Sequence, residues 1–166
     1  MYHTLEEFFT DWQPERDKTA RVFAALTDES LGQRVSSEGR RLGMLAWHIV
    51  TSISEMMLHI GMRTEGPRPD DAEPGTAAEL LTAYEKMIAS LEAQLRREWN
   101  DASLQEEHTL YGQQWKNVQT LHILIRHEVH HRAQMTVLMR QAGLRVPGVY
   151  GPAREEWGDM GREAQP

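Results

Sequence analysis

Apolar residues in this chain recur at helical spacing in four stretches and alternate like a strand in none, so the backbone is confined to packed helices. Leu5, Phe8, Phe9 and Trp12 open the first stripe, which Ala20, Phe23 and Leu26 continue in phase. Pro14 interrupts it, which predicts a kink there or a helix start nearby. A second helix is expected over about 42–62, with Leu42, Leu45, Ile49, Ile53, Met56 and Ile60 along one face. The segment TEGPRPDDAEPGT then holds three prolines and two glycines and can only be a connection.

Thr76 followed by Glu79 reads as a capping box. It opens a third helix whose stripe is Leu80, Tyr84, Met87, Ile88, Leu91 and Leu95. NDASLQEEHTLYGQQWKN is a second long connection. Asn117 is a candidate cap for a fourth helix, and Gly143 is its expected C′ residue. The expected fold is therefore all-α: a four-helix bundle with long inter-helix connections, its order not restricted to up-down-up-down. The tail RVPGVYGPAREEW is too rich in Pro and Gly for helix before about Arg154, and Val149, Tyr150 and Trp157 suggest that it packs back on the bundle.

Composition narrows the function. The 166 residues suit one domain spanning 1–166, with 40% apolar residues to fill its core. A formal net charge of −7 with scattered basic residues argues against nucleic acid or an anionic membrane as partner. MYHTLEEFFT is acidic where a signal peptide would be basic and then apolar, and no apolar run reaches the length of a membrane span, so a cytoplasmic location is expected. No cysteine is present, so any metal must be held by imidazole or carboxylate.

HEVHHRAQ, at 127–134, concentrates three of the eight histidines. At about 100° per residue, His127 and His131 lie roughly 40° apart on the inward stripe that also carries Leu124, Met135 and Leu138. His130 turns roughly 100° away. An i, i+4 imidazole pair can chelate a divalent ion, as on the helix of zinc proteases, where Glu128 would be the general base; an all-helical chain lacks the sheet and cleft such a protease brings. The alternative is a hydrogen-bonded pair of packed histidines. A third ligand has two candidates on the second helix: His48, in LAWHIV, and His59, further along a polar stripe shared with Thr51, Ser52 and Glu55. Spacing alone does not choose between them.

LAWHIV, followed far downstream by HEVHHRAQMTVLMRQAGLRVPGVYGPAREEW, resembles the DinB/YfiT-like family of metal-binding proteins, loosely over the whole chain and closely over 118–157. The resemblance implies a four-helix bundle, usually dimeric, with a divalent metal held by three histidines. By position these are His48, His127 and His131, rather than His59. Ala133 stands where the family often has Gly, on a face turned from the ligands. Arg132 and Gln134 flank the second ligand; each could order a carboxylate, span a dimer interface or simply sit at the surface. Ile123, His130 and Val137 form a separate stripe that would serve as the seam of a homodimer.

Three neutral imidazoles would leave coordination positions for water or substrate, as in an open catalytic zinc site. An all-imidazole set suits zinc, nickel, iron or copper, so ligand type does not name the metal; the expectation is a divalent ion, zinc or nickel first, with iron or manganese next. The resemblance implies a metal-dependent enzyme acting on a small molecule, either a low-molecular-weight-thiol S-transferase, with the thiol as cosubstrate, or a hydrolase. The readings from other classes are a non-catalytic metal-binding stress-response protein and a helical interaction module. Pocket access separates the first of these from an enzyme, and metal content separates the second.

Overall fold

The computed structural model describes residues 1–164. Four helices account for most of them: α1 (Leu5–Ala24), α2 (Leu42–His59), α3 (Ala77–Glu98) and α4 (Asn117–Gln141). α1 packs on α3 and α4, and α2 packs on the same two. Helices α1 and α2 therefore face one another across the bundle, as do α3 and α4. Each diagonal step needs a long crossing connection, which the segments after α1 and α3 supply, although the segment joining the neighbouring helices α2 and α3 is about as long. The core runs down the middle through Phe8, Trp12, Phe23, Ile49, Ile53, Tyr84, Leu91, Leu121 and Leu138, all essentially removed from solvent. Among the described residues no helix is long and apolar enough to cross a membrane.

The helix ends follow from local chemistry. Thr4 Oγ1 accepts the Glu7 amide at 3.2 Å and starts α1. The helix then runs unbroken through Pro14, so it does not start there; Pro14 stands on the exposed face of the helix. Thr76 and Glu79 form the expected reciprocal box at the head of α3, with both amide contacts at 3.2 Å. α2 stops at His59, three residues before the predicted end. Gly61 takes a left-handed φ of 81° and lets the Met62 amide reach back to the Met57 carbonyl at 2.9 Å. Gly143, with φ 75°, ends α4 in the same manner, as expected.

Two details of the second connection differ from expectation. It contains a small antiparallel hairpin, β1 (Glu107–Leu110) with β2 (Gln113–Lys116), closed by Tyr111 and Gly112, both at positive φ. Such a two-residue turn matches the twist of paired strands, but strands of four mostly polar residues give no alternation to read. Asn117 is not the cap of α4. Lys116 holds that position, while the buried Asn117 side chain donates to the Ser103 carbonyl at 2.9 Å and ties the connection to the helix.

The tail does fold back. Val146 and Ala153 are buried, Val149 packs partly against the core, and a short 3-10 turn begins at Arg154. Trp157 is half-buried, and Tyr150 reaches the bundle through its hydroxyl.

Candidate metal centre

α2 and α4 lie side by side, and their contact line carries the three histidines. His48 comes from the second turn of α2; His127 and His131 stand one turn apart on α4. The ring centroids are 4.9 Å apart for His48 and His127, 4.7 Å for His48 and His131, and 4.4 Å for His127 and His131. One ring nitrogen from each lies within 4.8 Å of the others. His131 is buried, and the other two are half-buried at the edge of the core.

The ring nitrogens are oriented by neighbours. His131 Nδ1 lies 2.8 Å from Gln134 Oε1, which can only accept, so the imidazole proton sits on Nδ1 and the Nε2 lone pair is free. That Nε2 is 3.2 Å from His127 Nε2. His48 Nδ1 lies 3.4 Å from Ser52 Oγ, which leaves its Nε2 unengaged. Burial, joined by the charge of neighbouring His131 and of Arg40, holds His48 down to about 4. Burial and the neighbouring histidines hold His127 at about 4 as well. His131 is also lowered by burial, against the opposing pull of Gln134. All three are neutral at neutral pH, the protonation state that ligates metal. Clustered Nε2 lone pairs repel one another unless a proton or a cation stands between them, so this donor set fits a divalent ion.

The other candidates lie elsewhere. His59 is on nearly the same face of α2 as His48, but eleven residues further along, a rise of about 16 Å. It is exposed, with its ring 5.6 Å from that of Tyr111. Glu55 is outside the histidine group and receives the Tyr111 hydroxyl at 3.5 Å. His130 is exposed and Ile123 half-buried against the core, while Val137 is exposed.

Glu128 cannot be a base at this centre, because it points away into the bundle. Its Oε1 accepts Thr19 Oγ1 at 2.6 Å and the Tyr84 hydroxyl at 2.9 Å, while Oε2 is buried with no hydrogen-bond partner among the described residues. Burial raises its carboxyl above the usual range. Arg132 is also interior, only 1% exposed. Its guanidinium donates to the Glu15 carboxylate at 2.5 Å, to the Glu15 carbonyl and Thr19 Oγ1 at 2.9 Å each, and to the Tyr150 hydroxyl at 3.0 Å. So Arg132 does order a carboxylate, inside the protein, and Gln134 orders an imidazole. Glu15 and Thr19 escaped the sequence reading, although polar residues at i, i+4 within the inward stripe of Trp12, Val22 and Phe23 were a readable sign of a buried network.

A cleft of about 510 Å³ opens beside the histidines, between the loop before α2 and one face of α4, with His131, His130, Gln134 and Arg40 among its walls. Arg40 is the other residue that sequence periodicity gave no reason to single out, since it lies in an irregular loop.

Three comparisons place this architecture among known proteins. The chain is 42% identical over 164 residues to YrdA of Bacillus subtilis strain 168, an uncharacterized protein, covering 99% of this chain and 98% of that one. A DinB-like protein from Bacillus cereus ATCC 10987, known from its crystal structure, superposes with a TM-score of 0.87 at 41% identity, over 90% of this chain and all of that one. YfiT from Bacillus subtilis, described as a probable metal-dependent hydrolase with an unusual four-helix bundle topology, shares the fold at a TM-score of 0.62 and 18% identity, over 83% of this chain and 87% of its own. The DinB family profile matches residues 1–164, and with the two relatives above 40% identity it shows that this chain belongs to the DinB family.

Proposed function

We propose that this protein is a metal-dependent enzyme in which His48, His127 and His131 hold one divalent ion, zinc or nickel foremost, and in which a low-molecular-weight thiol or water attacks an electrophilic small molecule. The observation that carries the reading is the convergence of three neutral imidazoles, from two helices, to within 4.8 Å. Three protein ligands leave room for an exogenous group, as catalytic zinc sites do and closed structural sites do not. When bound, the ion supplies Lewis acidity, lowering the pKa of a water or thiol and polarising an acceptor carbonyl. The description of YfiT as a probable metal-dependent hydrolase supports this direction.

The chain's own residues perform the remaining tasks. Gln134 fixes the His131 tautomer, and Ser52 stands at the back of His48. The buried Arg132, Glu15 and Thr19 tie α4 to α1 one residue beyond His131, and so hold the ligand helix in register. The cleft lined by His131 gives a small molecule access to the centre. Without cysteine, a thiol nucleophile comes from a cosubstrate.

Elemental analysis of protein purified without a nickel column tests the first half. About one metal per chain is expected, lost in His48→Ala. Metal-loaded protein is then offered electrophiles with bacillithiol-type thiols or with water alone. Stoichiometric metal with no turnover of either kind would favour a non-catalytic metal-binding role, and absence of metal after refilling with zinc would favour a helical interaction module.

A further inference from the structure

The cleft beside the imidazoles is chemically one-sided. Val35, Leu45, Val137 and Leu138 make an apolar wall, and Arg40 and Gln134 stand at its polar edge. Among the described residues no carboxylate lines it, although the chain as a whole carries a net charge of −7. Arg40 is exposed and enters none of the salt bridges among the described residues. Glu38, its near neighbour in sequence, does not line the cleft.

The backbone that carries Arg40 is held in place. The Arg34 side chain donates to the Gly39 carbonyl at 2.9 Å, and the Leu42 amide donates to the Gln33 carbonyl at 2.9 Å, so the loop is anchored on both sides of Arg40. It lines the same cleft as His131, which sets it beside the metal centre. Gln134 gives its carbonyl oxygen to His131, leaving its amide N–H groups available as donors. An unpaired guanidinium facing an apolar wall beside a centre built for a cation is a receptor for a molecule with one anionic end and a hydrocarbon body. A guanidinium fork matches a carboxylate in two parallel hydrogen bonds, and about 510 Å³ is within the range of small-molecule sites.

We propose that the cleft binds a small organic carboxylate, with Arg40 receiving its carboxylate and Val35, Leu45, Val137 and Leu138 covering its apolar body. This deepens the function proposed above and rests on it only for the direction in which the reacting end points, toward the three histidines. Arg40 is thus the residue that selects acidic over neutral substrates.

Calorimetric titration of zinc-loaded protein with hexanoate tests this, with 1-hexanol and acetate as comparison ligands. Hexanoate binds saturably in the millimolar range or tighter, and the other two bind more weakly. Arg40→Gln weakens hexanoate roughly 10- to 100-fold, the effect of losing a hydrogen-bonded charge partner, and leaves hexanol unchanged. Arg40→Lys, which keeps the charge and loses the fork, falls between. Arg40 is an exposed loop residue, so an unchanged melting temperature accompanies these effects. No saturable hexanoate binding, equal binding of hexanol, or an Arg40→Gln affinity within about twofold of the parent would overturn the proposal. The same titration after zinc removal separates the two readings. Binding that still depends on Arg40 supports the cleft whatever the fate of the metal site. Binding lost with zinc but indifferent to Arg40→Gln places the carboxylate on the ion and overturns the assignment.

Discussion

Gln134 holds the ring of His131 from behind, its Oε1 2.8 Å from Nδ1 and three residues along the same helix. The hydrogen bond selects the tautomer that turns the Nε2 lone pair toward His127 and His48. Gln134→Leu removes that selection while leaving every proposed ligand in place. Such supporting contacts are typically worth 10- to 100-fold in metal affinity, and a loss of that size is expected in competition with a chromophoric zinc chelator. An unchanged affinity would mean that helix geometry alone orients His131.

The histidines themselves divide by position. Alanine at His48, His127 or His131 is expected to abolish stoichiometric zinc while circular dichroism stays helical, since the rings sit at the edge of the core. His59→Ala is expected to keep its zinc, because its ring lies against Tyr111. Comparable metal loss in His59→Ala and His48→Ala would return the third ligand to doubt.

Arg132 is interior, and its loss leaves the Glu15 carboxylate with Lys18, 2.5 Å away, as its remaining cation. Breaking a buried pair from one side costs about 3–5 kcal/mol, and with Lys18 and the Tyr150 hydroxyl still on Glu15 the Arg132→Met variant should lose stability up to that order in urea denaturation. The double variant Arg132→Met, Glu15→Leu removes both charges and is expected to lose less than the sum of the two single changes. Strict additivity would show that the two side chains do not act as a pair.

Burial holds His48 and His127 at about 4 in the folded chain, against about 6.5 when unfolded. As pH falls through this interval the unfolded state takes up protons that the folded state does not. Stability of the zinc-free protein therefore falls from about pH 6.5 towards pH 4 and is fully present only above it. Melting temperatures across that interval are expected to decline less steeply for His127→Ala, which has one titrating group fewer. A parallel decline in both proteins would locate the effect elsewhere.

Much of this is legible in the sequence alone. Helical periodicity places Leu42, Leu45, Ile49 and Ile53 on one face whatever they pack against, and Thr76 with Glu79 marks a helix start through contacts within four residues. The inward pairing of His127 with His131 is likewise a property of one helix. The hairpin at Glu107–Lys116 was not readable, because its two short strands are held by their turn and their neighbours rather than by an apolar pattern.

What the sequence by itself determined is what lies within one helical turn: the four helices, most of their ends, and the i, i+4 imidazole pair. The meeting of His48 with that pair, the burial of Arg132 against Glu15, and the approach of Arg40 to the histidines were decided only by the tertiary structure. Each joins segments far apart in the chain, and their distances depend on which helices pack side by side. Periodicity says which face of a helix turns inward, but the face it meets is set by the packing of the whole bundle.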